Sequence, residues 1–217
     1  STPIKSSAAS DVYKRQGKYS FFKVCSGVLK GEDVLYNADT DSEAKLGKIY
    51  SSTMWNIENP SVYLLNNGAE EGKGPDYVKG AYKLLKEDSS INFQGNVEAR
   101  YVMDGKRDVV VSAGFPGNIY LKASEGMASN MNMLIKNAFS ENIFSKIGYL
   151  LARRGFKHMK EIMNYKKVGG AIALGLNKVA VKAHGNSDGY AFEHALIMAY
   201  KMCKNHMVDA IKKEFHE

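Results

Sequence analysis

The sequence predicts an α/β fold with a largely parallel sheet. Short β-branched runs alternate with stretches of helical period along most of the chain. The 20 glycines fall mostly between those segments, and the four prolines form no proline-rich linker. Charged residues at 24% and hydrophobic residues at 44% are ordinary globular composition and argue against disorder.

Ser1 to Gln16 is small and polar with no clear period. Residues 1–24 therefore read as a ragged or non-native leader, and 25–217 as the domain proper. Leu46, Ile49, Tyr50 and Met54 stand at helical spacing, so a helix is expected over Ser42–Ile57, closed by Pro60. Val62–Leu65 reads as a buried strand. Gly72-Lys73-Gly74-Pro75 is a turn, with Pro75 opening a helix to about Glu87. Ile91–Phe93 is a weak strand and Asp108–Val111 a strong one. Gly114-Phe115-Pro116-Gly117 breaks the chain before a helix from about Asn118 to Phe139. Ala171–Leu176 and Val179–Val181 suggest a hairpin. Ser187 is a candidate N-cap for a last helix to about Glu214.

The net charge of +7 is concentrated. Residues 140–167 hold seven Lys or Arg against two Glu, with Ile143, Phe144, Ile147, Leu150, Leu151 and Phe156 forming an apolar stripe. A basic amphipathic segment of this kind suits an anionic membrane surface or an acidic protein partner. An ordinary surface helix packed on the domain or on a twin subunit is the alternative. Nucleic acid is not expected, since the charge is confined to one segment without a binding motif. No apolar run reaches spanning length. Cys25 and Cys203 lie far apart, which suggests a reduced, cytoplasmic setting without a disulfide framework.

Chemistry is expected where a parallel strand ends and its helix begins, because a helix N-terminus presents free N–H groups to anions. Three such turns carry glycine and polar groups: 66–74, 114–118 and 184–188. In the first, Lys73 stands between Gly72 and Gly74, so backbone can approach a ligand on either side of a cation. The spacing is not that of a P-loop, and no dinucleotide fingerprint is present. An ordinary glycine-rich loop is the competing reading. Asn118 is a candidate donor or a simple cap, and His184 a candidate ligand or a structural histidine. Glu70 and Glu71 read as structural or solvated. No metal-ligand spacing or cofactor motif occurs.

Several runs, in order from residue 46 to 215, resemble the PlsX family of bacterial phosphate acyltransferases. They include Leu46-Gly-Lys-Ile-Tyr-Ser, Leu64-Leu-Asn-Asn-Gly-Ala-Glu-Glu-Gly-Lys-Gly-Pro, Ile91-Asn-Phe-Gln-Gly-Asn-Val-Glu, Gly114-Phe-Pro-Gly-Asn and Lys182-Ala-His-Gly-Asn-Ser-Asp. The resemblance implies a three-layer α/β/α, Rossmann-like fold related to phosphotransacetylases and isocitrate-dehydrogenase-like enzymes. It implies a homodimer associated peripherally with the membrane, and no cofactor is expected. The implied reaction moves a fatty acyl group from acyl carrier protein to inorganic phosphate, giving acyl phosphate for phospholipid synthesis. A related enzyme using acyl-coenzyme A, or an inert binding module, are the alternatives. Lys73 matches a family residue expected to stabilise charge, and Asn118 one expected to act as a neutral donor. Amides around Gly72, Gly74, Gly117 and Gly185 are expected to hold phosphate, with Asn67, His184 and Ser187 as further substrate contacts. This chain has Ala113 where the family usually has aspartate, Ala99 where it has glycine, and Ile172 where it has proline. The family's N-terminal portion has no counterpart, so the expectation is the C-terminal portion of a longer domain.

Overall fold

The computed structural model describes residues 20–23, 38–162, 171–173, 176, 178–183 and 188–216. Two sheets and six helices organise them. Strand β1 (Ser20–Lys23) and helix α1 (Ala38–Trp55) come first, then β2 (Ser61–Asn66) and α2 (Asp76–Glu87). Strand β3 (Asn92–Glu98) leads through a short 3-10 turn to β4 (Val109–Ser112) and α3 (Gly114–Ser140). Helix α4 (Ile143–Ile162), strands β5 (Ala171–Ala173) and β6 (Ala180–Lys182), and helices α5 (Gly189–Lys204) and α6 (Met207–His216) complete the order.

The main sheet runs β1-β4-β2-β3 with every pairing parallel. Its centre is Val109-Val110-Val111, all essentially inaccessible to solvent, as expected of a strand covered on both faces. One face carries Val62, Leu64, Val109 and Val111, packed against Ala44, Ile49 and Tyr50 of α1 and Val78, Ala81 and Leu85 of α2. The other carries Val97 and Val110, covered by Val102 and by Tyr120 and Leu121 of α3. Helices on both faces of a parallel sheet make the three-layer, Rossmann-like arrangement that the alternation predicts. Burial pushes the Tyr120 phenol above its ordinary pKa on that second face.

At the amino edge, Asp108 clamps two strands. Its Oδ2 accepts from the Ser61 amide at 2.8 Å and the Ser61 hydroxyl at 2.7 Å, and its own amide donates to Ser61 Oγ at 3.2 Å. Asp108→Ala strands the Ser61 amide, so a stability loss of about 1–3 kcal/mol is expected in urea unfolding.

Several boundaries differ from the sequence reading. Ser20–Lys23, set aside with the leader, forms an edge strand paired in register with β4, from Ser20 opposite Val109 to Lys23 opposite Ser112. Ser1 to Gln16 lies outside the described residues. Helix α1 starts at Ala38 and stops at Asn56, whose φ of 60° and amide bond to Ser52 O close it with a left-handed cap. Pro75 is the extended residue before α2, not its first turn. The weak strand at 91–93 is longer, with a bulge opposite Val62–Leu64 at Gly95, where φ is +98°. The turn expected at 114–117 is already helix: Gly117 N donates to Ala113 O at 3.0 Å, and Pro116 fits a first turn that needs no N–H there. The hairpin at β5 and β6 is antiparallel, as expected. The last helix is two helices, broken at Asn205-His206, where His206 has φ +53°. Asp188, not Ser187, caps α5 by accepting from Ala191 N at 2.9 Å.

The basic segment lies in an αα-hairpin of α3 and α4. Asn142 turns the chain, its Oδ1 accepting from Ser145 N at 2.9 Å. Phe139, Tyr149 and Phe156 pack ring against ring at 5.0–5.6 Å between the helices. The rest of the predicted stripe is uncovered: Phe144 and Leu151 are 81% and 82% exposed, Ile143, Ile147 and Leu150 are exposed too, and so are Met127, Met133 and Leu134 of α3. Packing on the domain, one alternative for this stripe, therefore does not occur among the described residues. No helix among those residues is long and apolar enough to cross a membrane.

Candidate functional site

Open parallel sheets bind ligands at the carboxyl ends of their strands. Here the relevant strands are neighbours, β2 and β4. Leu64 lies opposite Val111. Asn66 and Ala113 each follow by two residues, so the two chains leave the sheet level with one another, about 4.8 Å apart by ordinary strand spacing. The loop to α2 starts from the first and α3 from the second.

The β2–α2 loop turns on a backbone bond from Lys73 N to Glu70 O at 3.2 Å. Lys73 is exposed, and its ammonium has no ion-pair partner among the described residues. The amides of Gly72 and Gly74 on either side donate to no group among those residues. A free cation flanked by two free amides is a receptive surface for an anion. Glu71 is not an acid of this site. Its Oε2 pairs with Lys86 Nζ at 2.9 Å, and that hydrogen bond raises the lysine pKa. Asn67 is exposed, its amide N–H bonded to Asn66 Oδ1 at 2.8 Å.

Asn118 sits in the second turn of α3 with its side chain exposed. It does not cap the helix, because Ala113 holds the cap position and offers no side-chain bond. The Gly117 amide is engaged within the helix. The amides of Gly114 and Phe115, within the turn that the sequence marks at 114–118, donate to no group among the described residues. An aspartate at position 113 would accept from one of them. Ala113→Asp is expected to stabilise by about 1 kcal/mol, which raises Tm by roughly 2–4 °C for a chain of this size; a scanning-calorimetry comparison checks this.

His184, Gly185 and Ser187 lie outside the described residues. No group of three His, Cys, Asp or Glu among the described residues is arranged to hold a metal ion. Cys203 is a free, exposed thiol lining a cavity of about 450 Å³ walled by Lys178 and Val179, α5 and α6, which shares no residue with the β2 and β4 loops.

The molecule is thus an open parallel α/β protein with an exposed lysine loop at the carboxyl edge of its sheet. Comparison with known proteins specifies it further. The family described as "Fatty acid synthesis protein" matches residues 39–210. The chain belongs to that family, the PlsX group that its motifs resemble. The phosphate acyltransferase of Clostridium botulinum (strain Alaska E43 / Type E3) is 46% identical over 175 residues, covering 80% of this chain and 53% of that protein. The phosphate acyltransferase of Alkaliphilus oremlandii is 43% identical over 193 residues, 85% of this chain and 57% of the relative. That of Enterococcus faecalis is 40% identical over 213 residues, 94% and 64% respectively. The chain spans about half to two thirds of the length of these curated relatives.

Proposed function

We propose that this chain supplies the phosphate-handling edge of an acyltransferase that moves a fatty acyl group from acyl carrier protein to inorganic phosphate. The observation that carries the reading is the Lys73 loop, a cation without an ion pair between two amides that donate to no group among the described residues. Phosphate is then itself the nucleophile. Its oxygen attacks the thioester carbonyl carbon, the C–O bond forms, the C–S bond breaks, and the electron pair leaves on sulfur, which is released as the thiol after protonation by solvent. The protein need only hold the anion against the thioester and stabilise the oxyanion that develops. Lys73 supplies the charge. Asn118 supplies a neutral donor from the neighbouring strand's helix. The amides of Gly72 and Gly74, with Asn67, hold phosphate oxygens, and His184, Gly185 and Ser187 complete the substrate contacts; the Gly117 amide, expected to join them, is committed to Ala113 O.

The hairpin fits the same reaction. Its exposed apolar face suits peripheral contact with an anionic membrane and pairing with a second copy, and its basic residues suit an acidic carrier protein. The protein would work in the cytoplasm at that surface.

The test is hydroxylamine trapping of acyl phosphate by the full gene product, given phosphate and either acyl carrier protein or coenzyme A as the acyl donor. Product from the carrier-protein thioester supports the reading. Product from the coenzyme A thioester alone moves it to a related phosphotransacylase, and product from neither overturns it.

A further inference from the structure

Two buried asparagines lie directly beneath the Lys73 loop. Asn66 closes β2 and Asn96 lies on β3, and both are more than nine-tenths buried. A strand interior favours apolar side chains at such positions, because burying an amide costs free energy unless its bonds are made. Neither amide makes its bonds along the sheet; both reach into the same loop. Asn66 Nδ2 donates to Lys73 O at 3.1 Å, while its Oδ1 accepts from Asn67 N at 2.8 Å. Asn96 Nδ2 donates to Glu70 O at 2.8 Å. The carbonyls at 70 and 73 are those of the two residues joined by the loop's own turn bond. The loop is therefore held from below at both ends of the turn that presents Lys73.

Two glycines show how closely it is held. Gly74 has φ +88°, and a Cβ there would stand 2.7 Å from Asn66 Oδ1, so the backbone passes directly over that amide. A Cβ on Gly68 would stand 3.1 Å from Lys73 Cγ, so the lysine stem lies along that glycine while its ammonium stays free.

We infer that Asn66 and Asn96 are positioning residues for the anion site, fixing the backbone of residues 70–73 so that Lys73 and its flanking amides need not reorganise when phosphate binds. This rests on the reading of Lys73 as the charge-stabilising residue. Asn96 gives the clearest argument that geometry, not stability, is what the amide provides. Its Oδ1 is buried with no partner among the described residues, a standing cost. The Glu70 carbonyl it serves already accepts from Lys73 N. Replacing Asn96 with an apolar side chain removes the cost without orphaning that carbonyl, but frees the loop.

The experiment is a double-mutant cycle in the full gene product, read as kcat and as KM for inorganic phosphate, with Tm measured alongside. Asn96→Leu is expected to keep or raise Tm while lowering kcat/KM for phosphate about tenfold or more, since small misplacements of a catalytic group carry losses of up to about 100-fold. In a Lys73→Ala background the same change is expected to have a much smaller effect, since only the flanking amides remain to be positioned. Asn96→Val, smaller than leucine and favoured on a strand, is the second variant and is expected to behave likewise should Asn96→Leu fail to fold. Equal losses with and without Lys73, or a Tm that falls in step with activity, overturn the positioning role alone. Full activity in Lys73→Ala by itself overturns the reading of Lys73 and this inference with it.

Discussion

Lys73→Ala is expected to lower kcat/KM for acyl-phosphate formation by about 10²–10³, the range lost when one preorganised oxyanion-stabilising group is removed. Lys73→Met should lose as much. Its stem can still lie along Gly68 as the lysine stem does, so only the charge is missing. Lys73→Arg keeps a cation but spreads it over a wider planar fork, and partial activity is expected. Stability should be unchanged in all three, because the side chain is exposed and holds no ion pair among the described residues. The measurement is steady-state kinetics with phosphate varied, together with Tm. Wild-type kinetics in Lys73→Met would remove the charge from the mechanism and leave the loop as ordinary glycine-rich chain.

That Lys73 was legible in the sequence follows from what flanks it. A cation between two glycines is visible in one dimension, because glycine leaves space for a ligand whatever the fold. Asn66 and Asn96 were not legible as supports. In a sequence, a buried amide on a strand looks like a strand breaker, and the weak strand read at Ile91–Phe93 stops short of Gln94-Gly95-Asn96 for that reason. The structure shows why those polar residues are there: Gly95 makes the bulge, and Asn96 serves the loop of the neighbouring strand. Only the pairing of β3 with β2 brings the two together.

The fold itself was largely legible, since Val109–Val111 and the helix periods of α1 and α2 follow from burial on two faces or on one. The misses share a cause. Gly114-Phe115-Pro116-Gly117 contains three residues that break helices in the interior, yet the first turn needs no N–H from Pro116 and tolerates both glycines. Conversely, Asn205-His206 ends α5 without glycine or proline, because Asn205 Nδ2 reaches Thr53 O at 3.0 Å across to α1. A tertiary bond of that kind leaves no local signal.

The second large effect concerns the α3–α4 hairpin. Arg153, Arg154 and Lys157 are all exposed on α4 beside the uncovered apolar face. A basic residue close to an anionic bilayer contributes about 1 kcal/mol, so neutralising three costs roughly 3 kcal/mol, or about 150-fold in vesicle affinity. Arg153→Glu, Arg154→Glu and Lys157→Glu together add repulsion and should exceed that. The apolar arm is separable. Leu151→Ser and Phe144→Ser remove burial in the acyl boundary, worth about 1.5–3 kcal/mol per large side chain fully withdrawn from water, and this contribution is not screened by salt. Sedimentation with phosphatidylglycerol vesicles should therefore show wild-type binding that weakens as salt shortens the screening length to about 10 Å at 0.1 M. The charge-reversed variant should have lost both its affinity and its salt dependence. The serine variant should be weaker at every ionic strength but keep the wild-type slope. Neither should melt earlier, because these side chains are exposed among the described residues. Binding that ignores both salt and charge reversal would assign the hairpin to its apolar face alone, and a second copy of the chain would then be the better occupant of it.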